Sequence, residues 1–204
     1  IDNASIATDG RAYPQVRKEL RTIPSFRNAW SVMWMYGQNF LILAIAVRLN
    51  SLPVWVIAFL LMGRMHAQFA SLMHEAAHRL LFRHRGANDW VGNWLLGFPV
   101  ITSTPAYRRV HMAHHREEFG PEEPDIALYA NYPITKDSLR RKLVRDISGQ
   151  TGARLFRNQL RGFTSTDARV RNTLWKMTAV QIVIASLFVL AGHPWLYPIM
   201  WVLP

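Results

Sequence analysis

Apolar residues gather in four runs along the chain, and basic polar segments separate them. The first, Trp30–Val47, is close to the length that crosses a bilayer. Gln38 and Asn39 interrupt it and are expected to face another helix. After the polar break Arg48–Ser51, a second run covers Leu52–Met73, so the simple expectation is a hairpin of two spanning helices. Arg64, His66 and Gln68 lie in its later half, where the helix should leave the hydrocarbon and carry His74 and His78 just beyond it. Arg85-Gly86 should end that helix, because glycine favours the left-handed cap. Asn88 or Asp89 could N-cap a short apolar piece, Trp90–Phe98, which Pro99 stops. Being too short to span, it reads as interfacial or re-entrant.

Thr104-Pro105 is a helix start, with Thr as N-cap and Pro in the first turn. This helix should run to Gly120-Pro121, and a loop should follow over Pro121–Thr135. Asp137–Gly149 and Thr151–Gly162 read as basic amphipathic helices. Their apolar faces (Leu139, Leu143, Val144 and Ile147, then Leu155, Phe156 and Leu160) suit a membrane surface or packing on the protein itself. Leu174–Ala191 is a third span, Gly192-His193-Pro194 a turn, and Trp195–Leu203 opens a fourth apolar run. The pattern predicts an all-α, polytopic helical membrane protein, one domain over residues 1–204, with spans at 30–47, 52–73 and 174–191 and the start of a fourth at 195. The chain opens on Ile1 and closes on Pro204 within an apolar run, so the domain is expected to be incomplete.

Composition narrows the chemistry. The sequence has no cysteine, which excludes disulfides, iron–sulfur clusters and thiolate ligands, so any metal must sit on nitrogen and oxygen. The formal charge of +11 comes without a nucleic-acid-binding module, so no nucleic-acid partner is expected. Thirteen of the 24 Lys and Arg fall in Pro105–Asn172 and five in the first 29 residues, whereas only Arg48 lies between the first two spans. By the positive-inside tendency the N-terminus and the long middle segment are cytoplasmic, in a multi-pass protein of the cell membrane. The middle segment then forms a cytoplasmic cap on the spans.

Two histidine clusters carry the candidate chemistry: HEAAH at His74–His78 and HMAHH at His111–His115. Positions i and i+4 share a helix face, so His74 and His78 can converge. His111, His114 and His115 fall within an arc of roughly 100°. Taken alone, HEAAH fits a membrane zinc metalloprotease, with two histidines on zinc and Glu75 as general base. His84 stands where the longer pattern of that type has its third ligand, but Leu81 occupies the glycine position, and HMAHH is left unexplained. Of the other histidines, His66 reads as a satisfied core residue about 12 Å from His74 along the helix. His84 reads as an interfacial surface residue, and His193 falls at the opposite membrane face.

Together the clusters resemble the integral-membrane fatty acid desaturase family. HEAAHRLLF, NDWVGNWLLGFP and YRRVHMAHH ending in PEEPD carry the resemblance, closely over Met62–Asp125 and loosely in the span pattern elsewhere. It implies a histidine-box site in which His74, His78, His111, His114 and His115 ligate two iron ions, with O2 as co-substrate and an acyl lipid, acyl-CoA or acyl-carrier substrate. No flavin or nicotinamide fingerprint is present, so electrons would come from a separate donor such as a ferredoxin and its reductase. Glu75 would bond a ligand imidazole or an arginine, and Asp125 resembles an acidic residue that the family keeps after the second box. Arg108 and Arg109 could hold a head-group phosphate or simply follow the positive-inside tendency. Trp90, Trp94 and Tyr107 read as interfacial anchors. The family has a further HxxHH box after the fourth span, and the sequence reaches Pro204 before one, so the 204 residues alone are expected to be inactive. Related enzymes that hydroxylate or ketolate another lipid, such as a carotenoid, share the box type. A non-catalytic relative that keeps the histidines is a further alternative.

Overall fold

A computed structural model describes residues 5–7, 9–126 and 132–204. Among them the only extended pairing is an isolated bridge between Ile6 and Ala12, and the remainder is helical or turn. The helices are α1 (Pro14–Leu20), α2 (Ser25–Leu49), α3 (Leu52–Ala77), α4 (Arg85–Val91), α5 (Thr104–Glu117), α6 (Lys136–Ile147), α7 (Gln150–Arg161) and α8 (Ala168–Leu190). The stretches Pro14–Leu49, Leu52–Ala77 and Ala168–Leu190 are long and apolar enough to cross a membrane. This is an all-α membrane architecture. The helices run past the apolar runs, since Ser25–Asn28 and Ala168–Thr173 are polar turns that continue a span beyond its apolar part.

Asn50, in the left-handed region at φ 38°, turns α2 into α3, and its Oδ1 accepts from the Trp55 indole N–H (3.1 Å). The two helices pack through Val32, Met35, Met62, Met65, Phe69 and Met73, with Tyr36 edge-on to Phe69. Gln38 does face α3, where its Oε1 accepts from Arg64, whereas the buried Asn39 donates to Met35 O of its own helix. His66 is a core residue, its ring nitrogens 2.8 and 2.9 Å from Met62 O and Trp201 O.

The second helix stops sooner than the glycine rule predicts. α3 ends at Ala77 with His78 as its cap, Arg79 takes the left-handed conformation (φ 61°), and Gly86 sits in the first turn of α4. Tertiary bonds override the local signal. Asn88, fully buried, donates to Ala76 O and accepts from the N–H groups of Leu81 and Phe82. The N-cap of α4 is accordingly His84, whose Nδ1 accepts from Ala87 N–H, and neither Asn88 nor Asp89 serves there.

The short apolar piece folds back against the long helices. α4 continues as a π-helical turn, Gly92–Gly97, and a single 3-10 turn, Phe98–Val100, before the chain reverses at Ile101 (φ 57°). Its backbone carbonyls meet donors from the spans: Tyr36 OH to Leu95 O (2.6 Å), Gln181 Nε2 to Phe98 O and Pro99 O (2.6 and 3.0 Å), and Trp201 Nε1 to Pro99 O (2.9 Å). A buried carbonyl left unpaired would cost about 1–3 kcal/mol. Gly92 permits the close approach, since a Cβ there would lie 2.8 Å from that of Ala76.

α5 begins one residue earlier than expected, with Ser103 as N-cap and the Thr104 hydroxyl donating to Gly92 O. It ends at Glu117, which puts the second cluster near its C-terminus rather than its middle. The loop expected at Pro121–Thr135 is seen as turns on its flanks; residues 127–131 lie outside the described part. α6 and α7 form as two helices joined at Gly149 (φ 75°) and contain no buried residue. The fourth apolar run forms a π-helical segment, Tyr197–Val202, packed on α3 and the short apolar piece.

Candidate metal centre

α3 and α5 bring both clusters to one point. Asn28 at the start of α2 donates to Leu80 O and Leu81 O, so this point is at the end of the bundle where α2 begins. The ring centroids of His74, His78 and His111 are 4.6–4.8 Å apart, and His115 lies 4.5 Å from His111 and 5.0 Å from His78. The Nε2 atoms of His78 and His111 are 2.8 Å apart, and those of His115 and His111 3.1 Å. Two imidazoles on one ion at about 2.1 Å and at right angles would hold their nitrogens about 3 Å apart, so these spacings fit shared ligation. One ligand atom from each of His74, His78 and His111 can meet within 4.8 Å.

The protonation chemistry also fits. Burial, with the neighbouring His74 and His115, pushes His78 down, while Glu75 opposes it. Burial and the surrounding histidines push His111 down too. Both rings are thereby kept in the neutral form that a metal requires. His114 lies farther out, 6.1 Å from His111 by centroids, and behaves in the opposite way. Its Nδ1 bonds Glu123 Oε1 at 2.7 Å, and that hydrogen bond pushes it up.

Glu123 is the residue that the sequence reading missed. Its side chain is fully covered and also accepts from the N–H groups of Phe119 (3.3 Å) and Asp125 (3.1 Å). Within PEEPD, Glu122 and Glu123 are indistinguishable by composition; only the fold turns one inward and leaves the other exposed. Asp125 Oδ2 stands 3.9 Å from His114 Nδ1, and Glu75 Oε1 3.3 Å from His74 Nδ1. His114, Glu123 and Asp125 form a second group with metal-ligand spacing.

The adjacent arginines part company. Arg108 turns inward, donating from Nε to Ala77 O (2.7 Å) and from Nη2 to Ala76 O (2.7 Å) and Asp89 Oδ1 (2.6 Å). Its guanidinium thus closes the C-terminus of α3, and Arg109 alone of the two faces outward. Burial would raise Asp89, but the hydrogen bonds from Arg108 and Asn88 and the charges of Arg108 and Arg79 outweigh it and hold the carboxyl below its ordinary value. The Tyr107 ring stacks on His111 at 5.1 Å, and burial, with Asp125, pushes its hydroxyl up. Trp94 packs edge-on against Phe98 in a second small core, and Trp90 remains exposed. His193 lies at the far end, since Trp195 beside it meets Trp55 in the first turn of α3.

Three helices long and apolar enough to cross a membrane, with a cluster of histidines from two helices that could hold a metal ion, define the class: a helical membrane protein with a candidate metal site. The family model described as fatty acid desaturase matches residues 49–204, and the chain belongs to that family. Neither the curated proteins nor the solved structures contain a match.

Proposed function

We propose that this single membrane domain introduces a double bond into a fatty acyl chain, using two irons, O2 and electrons from a separate protein donor. The convergence of His74, His78, His111, His114 and His115 from two helices carries this reading. Bound iron would supply the reduction of O2 and the removal of hydrogen from an unactivated methylene, for which side chains have no equivalent. In the overall balance the acyl chain gives up two hydrogens and the donor two electrons, and with two protons O2 leaves as two waters.

The chain's own residues position the site. His78 and His111 offer neutral nitrogens, Glu75 borders His74, and Glu123 holds the Nδ1 side of His114 so that Nε2 is turned elsewhere. Tyr107 covers one face of His111. The basic middle segment puts the site on the cytoplasmic face by the positive-inside tendency, where an acyl chain can lie in lipid with its head in water.

The test is to express the gene's full coding sequence in a bacterial membrane, measure bound metal, and analyse acyl products by gas chromatography with mass spectrometry. Residues 1–204 expressed alone should show no activity. Two irons per chain and a new double bond, both lost in His78→Ala and His111→Ala, are expected. A hydroxylated or ketolated product would reassign the reaction to another member of the same box type. One zinc per chain, with peptidase activity that survives loss of His111, His114 and His115, would reassign it to a membrane zinc metalloprotease.

A further inference from the structure

A cleft of about 410 Å3 opens between the N-terminal ends of α5 and α8 and the flank of α7. The metal centre does not use it. Arg109 stands two positions before His111, about 200° around α5, so the cleft is on the far side of that helix from the histidines. Its lining divides chemically. Val170, Leu174 and Met177 supply apolar surface, while Arg109, Asn158 and Arg169 supply polar groups.

Neither guanidinium is engaged by a described residue. Arg169 meets Asp167 through its backbone N–H (2.7 Å), and Arg109 contrasts with its neighbour Arg108, whose guanidinium makes three hydrogen bonds. The cleft is otherwise firmly built: Gln159 Nε2 donates to Ile101 O (3.0 Å) and contacts Met177 Sδ, tying α7 to α8 and to the short apolar piece. Leu174 and Met177 lie in the second and third turns of a spanning helix, and the exposed Trp175 between them is the residue type found at the water–lipid boundary. The cleft therefore straddles that boundary.

We propose that it binds the phosphate-bearing head group of an anionic membrane lipid, with Arg109 and Arg169 on the phosphate and the start of an acyl chain on Val170, beside the buried Leu174 and Met177. Guanidinium groups present paired donors that match phosphate oxygens. Asp167 also lines the cleft, so its three charged side chains sum to one positive charge. That matches the single negative charge of a phosphodiester better than the higher charge of free phosphate. The proposal rests on α8 being a span and is independent of the reaction at the histidines.

The test uses the whole protein in a zwitterionic detergent, titrated with a fluorescent phosphatidylglycerol, with equally labelled phosphatidylcholine and inorganic phosphate as competitors. Phosphatidylglycerol should bind at least about tenfold more weakly to Arg109→Gln/Arg169→Gln, a loss of about 1.4 kcal/mol. Metal content and melting temperature should be unchanged, and neither competitor should displace the probe at matched concentration. If the double variant does not fold, Arg109→Gln and Arg169→Gln singly should each weaken binding several-fold. Unchanged binding in the variants, or equal binding of phosphatidylcholine, overturns the proposal. Displacement by inorganic phosphate as effective as that by lipid overturns the lipid assignment.

Discussion

Arg108 ties three elements together through one side chain, and the position of His78 depends on it. Its guanidinium takes the last carbonyls of α3 and the Asp89 carboxylate of α4 while its own backbone belongs to α5. Arg108→Ala should cost about 1.5–3 kcal/mol, the range for hydrogen bonds to a charged group. Arg108→Lys should recover little of it, since an ammonium cannot reach three acceptors in a fork. Thermal unfolding in detergent reads both. The partner gives a pH signature. Asp89 is held below its ordinary value in the folded protein, so its contribution is complete above the unfolded value of about 3.9 and is lost as pH falls through the lower folded value. The stability gap between wild type and Asp89→Asn should hold from pH 7 to about pH 5 and close below about pH 4. If His114 ligates iron as proposed, Glu123→Leu should lower iron affinity about 10- to 100-fold, the usual effect of losing a carboxylate behind a ligand histidine. Glu123→Gln, which can still accept from His114 Nδ1, should fall between. Metal content after graded chelation measures this. The spacing of the histidines was legible in the sequence because helical periodicity alone groups them. The inward turn of Arg108 and the burial of Glu123 were not, because adjacent arginines and adjacent glutamates carry the same local signal and differ only in which neighbour the fold supplies.

At the level of elements, the spans and the short apolar piece could be read from apolar length alone, but their ends could not. α3 was expected to continue to Gly86 and stops at Ala77, because Asn88 and Arg108 satisfy the carbonyls that a further turn would have bonded. The same competition shapes the short apolar piece. Phe98 O accepts from Ile101 N–H in the 3-10 turn and the chain then reverses, and Gln181, a polar residue near the middle of an apolar span, meets the carbonyls of both Phe98 and Pro99. Gln181 is held in turn by the Tyr197 hydroxyl at 3.0 Å. In the sequence Gln181 is one polar residue in an otherwise apolar run, with no local sign of its partner. Gln181→Leu should therefore destabilise the protein although it makes the helix more apolar. Phe98 O would still accept from Ile101 N–H (3.1 Å) and Pro99 O from Trp201 Nε1 (2.9 Å). The expected cost is thus about 0.5–1.5 kcal/mol for each hydrogen bond lost. A variant as stable as wild type would mean that this network adds nothing to the fold.

Across the whole molecule, the arrangement of helices gathers the histidines at one end of the bundle. The start of α2, the end of α3 and the histidines share one end of the bundle, while Asn50, Trp55 and Trp195 share the other. The exposed apolar residues of α6 and α7, Leu143, Ile147, Leu155 and Phe156 among them, leave two basic helices with unburied faces. Such faces suit the surface of the leaflet whose lipids are anionic, which is the same side that the charge distribution assigns to the site. The absence of cysteine makes this directly testable, because each introduced thiol is the only one in the chain. In sealed, oriented vesicles Arg17→Cys and Lys142→Cys should react with a membrane-impermeant maleimide from the cytoplasmic side, and Gly192→Cys from the opposite side. Ile147→Cys, on the apolar face of α6, should be slow from both sides and become fast when anionic lipid is replaced by a neutral one. Labelling of Arg17→Cys and Lys142→Cys from different sides would break the topology, and with it the placement of the histidines at a single membrane face. Uniformly fast labelling of Ile147→Cys would leave the topology intact and remove only the docking of α6 on lipid.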